Sequence, residues 1–377
     1  MSIFQLNIPT KVYYGRNIIQ DVLRKECHLF AGNVLIVTTG RSLVRLGYLK
    51  ELKKEIEAIE TVKNVCIFEN VSANPRLAEV KDAIAIGKEN NIDVVIGFGG
   101  GSAMDAAKAI AAGIGNDEYI DKYFYEGKEP GRETLPIIAI PTTAGTGSEL
   151  SKAAIITDDV KKIKNGIRGT AMYPMLAIVD SVYTESMPKQ ITIETGFDVL
   201  AHAIESYVSK VASPYTEMLS EQAIGLVGKY LPRLAEDLTD VEARQQMSFA
   251  SMIMGINLGN ASTALPHRMQ YPLGAHTDTS HGVGLAALFP SWVHYEVKYS
   301  LEKMKRVAEL LTGTEQSDTE KCVFEFIKKL ELPTSLRELG VKEEQLIQMA
   351  AGVSGNIKND PASQEEDVIL KIYKEAF

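Results

Sequence analysis

Short apolar runs alternate with segments of helical periodicity in the first half of the chain. The runs are VLIVTT (34–39), KNVCIFE (63–69), IDVVIGF (92–98), LPIIAIP (135–141), AAIITD (153–158) and LAIVD (176–180). Strands that are apolar throughout and separated by helices are typical of a mostly parallel sheet covered on both faces. The pattern therefore predicts an α/β domain.

The strand pattern stops near residue 185. From ITIETGFDVLAHAIESYVS (191–209) onward, apolar positions recur with helical spacing almost to the C-terminus. A chain of 377 residues is also long for a single ordinary core. We predict two domains, an α/β domain over residues 1–184 and an all-helical domain over residues 185–377.

Composition narrows the classes of function. Hydrophobic residues make up 45% and charged residues 24% of the chain, and no apolar run reaches the roughly 18 residues of a membrane helix. The net charge of −9 argues against nucleic acid or anionic lipid as a partner. Three scattered cysteines form no disulfide framework or CxxC pair, and the N-terminus lacks the features of a secretory signal. We expect a cytoplasmic enzyme that acts on a small molecule.

A glycine turn follows one of the apolar strands in IDVVIGFGGGSAMDAAKAIA (92–111). Gly99, Gly100, Gly101 and Ser102 lead from the strand into an alanine-rich helix, with Asp105 in its first turns. Backbone amides at a helix N-terminus form an anion cradle that suits a pyrophosphate. The spacing departs from G-x-G-x-x-G, since Ser102 occupies the place of the third glycine. The alternative is a plain tight turn between strand and helix.

A second donor-rich loop, PTTAGTGSE (141–149), follows another strand. Its hydroxyl and amide groups suit a phosphate, a ribose or a nicotinamide amide, whereas the alternative is a loop that caps the next element. Ligands of open parallel sheets bind beyond the carboxyl ends of the strands. Two such loops in one sheet therefore favour a dinucleotide site.

The helical half contains a concentration of metal-binding side chains. Asp198 and His202 lie one helical turn apart, and His267, His276 and His281 make up three of the six histidines within a short stretch. A nitrogen-rich set suits a divalent transition metal, whereas calcium or magnesium would favour oxygen ligands. Alone, the Asp198 and His202 pair is better explained as a buried hydrogen bond. The histidine cluster reverses that preference.

The order of these motifs resembles the iron-containing (group III) alcohol dehydrogenase family along essentially the whole chain. The matching segments are FENVSANP, GGGSAMDAAK, PTTAGTGSE, ITDDVKKIK, LAIVD, TGFDVLAHAIESY and HRMQYPLGAHTDTSHG. The resemblance implies a dehydroquinate synthase-like architecture, with a dinucleotide-binding α/β domain, an all-helical metal-binding domain and a cleft between them. It also implies catalytic Fe²⁺, Zn²⁺ in some members, and a homodimer.

The resemblance assigns roles to individual residues. It implies four metal ligands, namely Asp198, His202, His267 and His281. It implies that the cofactor contacts include the turn from Gly99 to Ser102, together with Asp105, Thr142, Thr143, Thr146, Ser148 and Lys164. The expected reaction is hydride transfer between NAD(P)(H) and an alcohol or aldehyde bound to the metal.

Two positions depart from the family pattern. Many members have a second histidine four residues after the equivalent of His267, near the substrate, where this chain has Tyr271. A phenol titrates near pH 10 rather than 6.5, so a proton relay through Tyr271 would differ from a histidine relay. His276, acting through water, is the other candidate for this step, unless it is simply an exposed loop histidine.

The second departure concerns the cofactor. NAD-specific members tend to carry an aspartate after the strand equivalent to VLIVT, where this chain has Thr39 and Gly40, followed by Arg41, Ser42 and Arg45. Loss of the acid and gain of donors favour NADP(H). If the arginines are solvated helix charges, NAD(H) would serve as well.

Rival functions share parts of this pattern. A zinc-dependent polyol dehydrogenase of the glycerol type usually has three protein ligands, so the fourth favours iron. A dehydroquinate synthase-like lyase would need a Lys/Arg-rich motif beside the histidines, and none is present. A non-catalytic metal or nucleotide binder would not need all four ligands. Short alcohols, diols and longer aldehydes all stay open as substrates.

Overall fold

The computed structural model describes residues 3–39, 41–161, 163–316 and 318–377. The described chain divides into two compact units. The sheet unit contains Ile8–Thr143 and Ser148–Ser186. The helical unit contains residues 3–7, Ala144–Gly147 and Met187–Phe377. The short segment Ala144–Gly147 is part of the helical unit although it lies within the sequence of the sheet unit.

A six-stranded parallel sheet forms the centre of the sheet unit. Its strand order is β1-β8-β5-β4-β2-β3, and a separate antiparallel pair is formed by β6 and β7. The strands are β1 Lys11–Gly15, β2 Gly32–Val37, β3 Val62–Phe68, β4 Val94–Gly99, β5 Ile137–Pro141, β6 Ala153–Asp158, β7 Ile163–Arg168 and β8 Leu176–Asp180. The predicted fold class, a mostly parallel sheet followed by a helical region, is confirmed.

Individual strands differ from the sequence prediction. AAIITD, expected in the parallel sheet, forms β6 and pairs with β7 in its own antiparallel ribbon. Alternate residues of β6 are buried, which is the pattern of a strand with only one covered face. Strands β1 and β7 are not predicted from the sequence, because their residues are mostly half-buried or exposed and so lack a continuous apolar run.

The two faces of the parallel sheet are covered by different helices. Val34, Ile36 and Ile96 pack with residues of α1 and α3 on one face, while Leu35 and Val95 pack with residues of α4 and α5 on the other. The covering helices of this unit are α1 Ile19–Lys25, α2 Arg41–Arg45, α3 Tyr48–Glu57, α4 Leu77–Glu89, α5 Gly101–Gly115 and α6 Ile120–Tyr125. Neighbouring residues of a strand point to opposite faces, which explains why the central strands are apolar throughout.

Helix α7 lies at the centre of the helical unit and packs against α8, α9 and α11. Almost every residue from Thr192 to Val208 is buried, which is expected of a helix enclosed on all sides. The helices of this unit are α7 Lys189–Val208, α8 Pro214–Glu236, α9 Val241–Asn260, α10 Leu265–Thr277, α11 His281–Tyr299, α12 Leu301–Thr312, α13 Thr319–Lys329, α14 Leu346–Ala351 and α15 Val368–Ala376. Among the described residues of this unit, no strand is found.

None of the helices that the structure describes combines the length and apolar character needed to cross a membrane.

Candidate metal centre and nucleotide loop

Three polar side chains lie along one face of the buried helix α7. Asp198, His202 and Glu205 occupy positions i, i+4 and i+7, which a helix places on the same side. Their exposed fractions are 3%, 5% and 0%. Buried polar groups of this kind require partners, because burial without them is costly.

Helix α10 brings His267 to this face. Carboxylates from elsewhere in the unit accept hydrogen bonds from the backbone amides at its N-terminus. Ala264 N donates to Glu205 Oε2 at 2.7 Å, and Leu265 N donates to Asp360 Oδ2 at 2.8 Å. Both contacts satisfy amides that have no partner within the helix. His267 therefore projects from a first turn that is fixed at two points.

Helix α11 supplies His281, which is its first residue. The His281 side chain is 29% exposed, whereas that of Asp198 is 4% exposed. His281 Nδ1 lies 2.6 Å from Gln270 Oε1 on α10, so the ring is oriented from its outer side. Its Nε2 consequently faces Asp198.

Nitrogen and oxygen atoms of three helices converge at this point. Asp198 Oδ1 lies 3.3 Å from His267 Nε2 and 3.6 Å from His281 Nε2. The ligand atoms of Asp198, His267 and His281 all lie within 4.8 Å of one another. Tetrahedral ligands at about 2.1 Å from a zinc-sized ion lie roughly 3.4 Å apart, so the spacing fits one cation.

The hydrogen bonding of these atoms also fits a cation. Among the described residues, no hydrogen bond satisfies Asp198 Oδ1, His267 Nε2 or His202 Nδ1, although all three atoms are buried. Buried polar atoms normally have partners, and those that do not require an explanation such as an absent ion. One carboxylate oxygen and several imidazole nitrogens are donors that suit Fe²⁺ or Zn²⁺.

His202 lies beside this group without being part of it. Its Nδ1 is 3.8 Å from Asp198 Oδ1, and its ring stacks on that of His267 with centroids 4.3 Å apart. The ring also forms a hydrogen bond with the backbone of Gly145. Segment Ala144–Gly147 is packed tightly here, since a Cβ added to Gly145 would lie 2.7 Å from Thr195 Cβ.

The charges of the cluster are strongly coupled. Burial lowers the pKa of His202 to about 4, against the opposing effect of Asp198. Burial also opposes the charged form of His267, but Glu205 and Asp198 outweigh it and raise the pKa of His267 to about 10. Burial would raise the pKa of Asp198, yet the nearby histidines hold it below its usual value. Without a cation, a protonated His267 therefore balances the carboxylates.

The two candidates for proton transfer lie on different sides of α10. Tyr271 is half-buried one turn after His267, with its ring 5.9 Å from the Arg268 guanidinium. His276 is exposed, and its Nδ1 lies 2.8 Å from Pro272 O. His276 follows His267 by nine residues, or about two and a half helical turns, so the two side chains point to opposite sides of the helix. The structure thus places Tyr271, but not His276, on the side of His267.

The predicted nucleotide loop joins β4 to α5. Gly99 has a φ of +156°, and a Cβ added there would lie 2.7 Å from Ala103 Cβ, so a larger residue would not fit. Thr142 N donates to Gly99 O at 2.9 Å, which ties the second predicted loop to the first. Gly100 precedes α5, whose first residue is Gly101. Ser102 donates a hydrogen bond to Ala73 O.

Two of the predicted cofactor contacts belong to a buried cluster. Lys108 is fully buried, and its Nζ lies 3.4 Å from Asp105 Oδ1, 2.6 Å from Ser148 Oγ and 2.9 Å from Ala153 O. Ser148 donates to Asp105 Oδ1, and Ile155 N donates to Asp105 Oδ2 at 2.8 Å. Asp105 and Ser148 thus have partners inside the sheet unit.

The other predicted cofactor residues are placed as follows. Lys164 Nζ donates to Asn74 Oδ1 at 3.0 Å. Thr39 is half-buried, while Arg41 and Ser42 are exposed at the start of α2. Gly40 lies outside the described residues. Thr143 contacts the glycine turn, since a Cβ added to Gly100 would lie 3.2 Å from Thr143 Oγ1, and Thr146 belongs to the helical unit.

Two residues of the site, Glu205 and Gln270, are not predicted from the sequence. They contact the outer nitrogens of His267 and His281. Helical spacing offered a signal for each. Glu205 lies seven residues after Asp198 and shares its face, and Gln270 lies three residues after His267.

Comparison with known proteins assigns both units to one family description. The sequence profile described as iron-containing alcohol dehydrogenase matches residues 9–181, and that described as Fe-containing alcohol dehydrogenase family, C-terminal, matches residues 192–377. The chain is 32% identical over 407 residues to the NADH-dependent butanol dehydrogenase A of Clostridium acetobutylicum, with 100% of both chains covered.

Two further similarities extend this finding. The chain is 30% identical to the NADPH-dependent butanol dehydrogenase of Clostridium saccharobutylicum over 98% of this chain and 97% of the relative. Its structure matches the crystal structure of a 1,3-propanediol oxidoreductase with a TM-score of 0.90 and 30% identity, covering 100% of both chains.

Proposed function

We propose, because the chain belongs to the iron-containing alcohol dehydrogenase family, that it is a metal-dependent enzyme interconverting an alcohol and an aldehyde with a nicotinamide dinucleotide. Family membership confirms the resemblance and the predicted oxidoreductase class. It also favours a dehydrogenase over the lyase alternative. The observation that carries the proposal is the convergence of Asp198 Oδ1, His267 Nε2 and His281 Nε2 within 4.8 Å.

We propose Asp198, His267 and His281 as ligands of a divalent metal, with His202 as the fourth. His202 is included because its buried Nδ1 faces Asp198 and is not hydrogen-bonded among the described residues. When bound, the metal would supply Lewis acidity toward the substrate oxygen, and the nicotinamide would supply hydride transfer. Helices α7, α10 and α11 hold the ligand side chains before the metal arrives, so little ordering is left for binding to impose.

Iron is favoured over zinc by the four-residue ligand set. A catalytic zinc site usually has three protein ligands, while three imidazoles and a carboxylate also suit Fe²⁺. Zinc remains the alternative, and it would correspond to the polyol dehydrogenase expected as a rival from the sequence.

The glycine turn between β4 and α5 would bind the cofactor pyrophosphate. The first amides of α5 follow Gly100. The close packing at Gly99 requires glycine there, so no side chain at this position shields the amides from a phosphate. We propose NADP(H) as the preferred cofactor. The exposed side chains of Arg41 and Ser42 can form hydrogen bonds with a 2′-phosphate, and position 39 carries a threonine rather than an acid that would repel it. Relatives of similar identity are named for NADH and for NADPH, so resemblance alone does not decide between them.

Tyr271 is the better-placed candidate for proton transfer. It lies one turn from His267 and is half-buried, whereas His276 is on the opposite side of α10. A phenol donates a proton to an alkoxide readily, because the alkoxide is the stronger base. Tyr271→Phe should therefore lower aldehyde reduction, while His276→Ala should leave it close to wild type.

The function is tested by metal reconstitution of the purified protein. The protein is stripped with a chelator under anaerobic conditions, reloaded with Fe²⁺ or Zn²⁺, and assayed for aldehyde reduction with NADPH and NADH separately. Activity that returns only with metal supports the proposal, and a higher kcat/KM with NADPH supports the cofactor preference. The proposal fails if no metal restores activity or if neither cofactor supports it.

A pair of histidine variants makes the test site-specific. His267→Ala should abolish metal-dependent turnover, because it removes a buried ligand. His294→Ala is the matched control, since the His294 side chain is 44% exposed and pairs with Glu320. Wild-type turnover in His267→Ala would remove His267 from the site.

A further inference from the structure

Glu205 contacts the side of His267 that faces away from the other proposed ligands. Its Oε1 lies 2.5 Å from His267 Nδ1, while Nε2 of the same ring lies 3.3 Å from Asp198 Oδ1. The Glu205 side chain is fully buried. Since Asp198 and Glu205 project from the same face of α7, the His267 ring is held between two carboxylates of one helix.

The contact at Nδ1 determines which nitrogen of His267 carries the proton. An ionised carboxylate only accepts hydrogen bonds, so Nδ1 must donate its N–H to Glu205. The lone pair of the neutral ring is then on Nε2, which is the nitrogen in the group with Asp198 and His281. Only this tautomer can bind a cation at that point.

The second carboxylate oxygen of Glu205 fixes the helix that carries His267. Oε2 accepts a hydrogen bond of 2.7 Å from Ala264 N, directly before the first residue of α10. A carboxylate at a helix N-terminus is favourable because the amides there lack partners and the helix dipole is positive. One side chain therefore determines both the tautomer of the ring and the position of its helix.

The corresponding contact to His281 is weaker. Gln270 Oε1 lies 2.6 Å from His281 Nδ1, but the amide oxygen is neutral. Hydrogen bonds to an ionised group are roughly twice as strong as neutral ones. Of the two residues behind the histidines, Glu205 is therefore expected to have the larger effect.

We propose that Glu205 is a positioning residue, which holds His267 as its Nδ1–H tautomer and thereby raises the affinity of the centre for a divalent cation. The proposal rests on the proposed metal function and adds a residue that this function does not by itself require. Partners in this position typically account for about 10- to 100-fold of metal affinity.

The experiment measures the binding of Zn²⁺ alone by chelator competition, using metal-free full-length protein. Glu205→Gln should weaken binding by about 10- to 100-fold, because an amide has only one oxygen for the two donors that Glu205 now accepts from. When that oxygen accepts from Ala264 N, the amide N–H faces His267 Nδ1 and favours the opposite tautomer. Glu205→Asp keeps the charge and should recover part of the loss. Glu26→Gln is the matched control and should bind as wild type. Glu26 is also buried, but it lies in the sheet unit and accepts from Lys11 Nζ and Tyr13 Oη rather than from a histidine.

The outcomes separate this proposal from the proposed function. If the wild type binds Zn²⁺ and folded Glu205→Gln binds it equally well, the role of Glu205 is wrong and the metal function stands. If the wild type binds no Zn²⁺, both fail. If Glu205→Gln does not fold, the tautomer is read by NMR of histidine-¹⁵N-labelled, zinc-loaded wild type. A proton on Nδ1 of His267 supports the proposal, and a proton on Nε2 overturns it.

Discussion

Two buried clusters of charged side chains, one in each unit, differ in how completely they are hydrogen-bonded. In the sheet unit, Lys108 Nζ reaches three acceptors, which are Asp105, Ser148 and the carbonyl of Ala153. In the helical unit, Asp198 Oδ1 and His267 Nε2 face each other at 3.3 Å, but neither is satisfied by a hydrogen bond among the described residues. We call these the closed cluster and the open cluster.

The difference shows that burial of charge does not by itself indicate a binding site. An ammonium group has three donors, and in the closed cluster each has an acceptor, so the cluster is complete without a ligand. In the open cluster, Asp198 Oδ1, His202 Nδ1 and His267 Nε2 are buried and not hydrogen-bonded among the described residues, and a cation would complete their coordination. Removal of a residue should therefore reduce folding stability in the closed cluster and metal affinity in the open cluster.

The largest effect on stability is expected from Lys108→Met. This variant keeps the side-chain volume but leaves Asp105 without its buried cation, and breaking such a pair costs about 3–5 kcal/mol in unfolding free energy. Urea denaturation of the metal-free protein measures the change, with Lys50→Met on the exposed side of α3 as the control. A loss below about 1 kcal/mol would show that the closed cluster does not stabilise the fold.

The next largest effect is expected from Asp198→Asn in the open cluster. The affinity for Zn²⁺ should fall by more than about 100-fold, since loss of a direct ligand should exceed the 10- to 100-fold typical of partners behind a ligand. The unfolding free energy of the metal-free protein should change less than in Lys108→Met, because Glu205 Oε1, 2.5 Å from His267 Nδ1, still pairs with the protonated ring when Asp198 is replaced. The reverse ranking of the two variants in stability would remove the distinction between the clusters.

The sequence predicts the central sheet well because its strands are buried on both faces. VLIVTT, IDVVIGF and LAIVD are apolar throughout, and all lie within the parallel sheet. AAIITD forms a similar apolar run but has only one covered face. Its partner β7 contains Asn165 and Gly166 and gives no continuous apolar signal. Composition alone does not reveal how many faces of a strand are covered.

In the candidate site, too, some residues can be predicted from the sequence and others cannot. Asp198 and His202 are recognisable from helical spacing, because both lie on one element. The contact between Glu205 and His267 joins residues that are 62 positions apart, and it depends on how α10 begins against α7. The closed cluster likewise joins Lys108 to Ser148 across 40 positions. Contacts of this kind follow from packing between elements, which the spacing of residues does not specify.

A smaller effect is expected in the pH dependence of Zn²⁺ binding to the open cluster, and it arises from His267. Glu205 and Asp198 raise the pKa of His267 to about 10 against the effect of burial, so the metal-free ring is protonated at neutral pH. A cation must displace this proton, and the apparent affinity for Zn²⁺ should rise about tenfold per pH unit from 7 to 9. His202, with its pKa lowered to about 4 by burial, is neutral over this range and adds no slope. Chelator competition at several pH values measures the trend, and a constant affinity would contradict it.

The smallest effect is expected from Ser148→Ala, which tests whether the closed cluster is complete without a ligand. The hydroxyl accepts from Lys108 Nζ at 2.6 Å and donates to Asp105, so its removal should cost about 1–2 kcal/mol in unfolding free energy. The cost is below that of Lys108→Met because the Lys108 and Asp105 pair remains.

The sequence also predicts Ser148 as a cofactor contact. If its role is confined to the cluster, the Kd for NADPH should stay within about twofold of wild type, since no buried cofactor bond is lost. A tenfold weaker Kd at unchanged stability would instead place the hydroxyl against the cofactor and show that the closed cluster is open on that side.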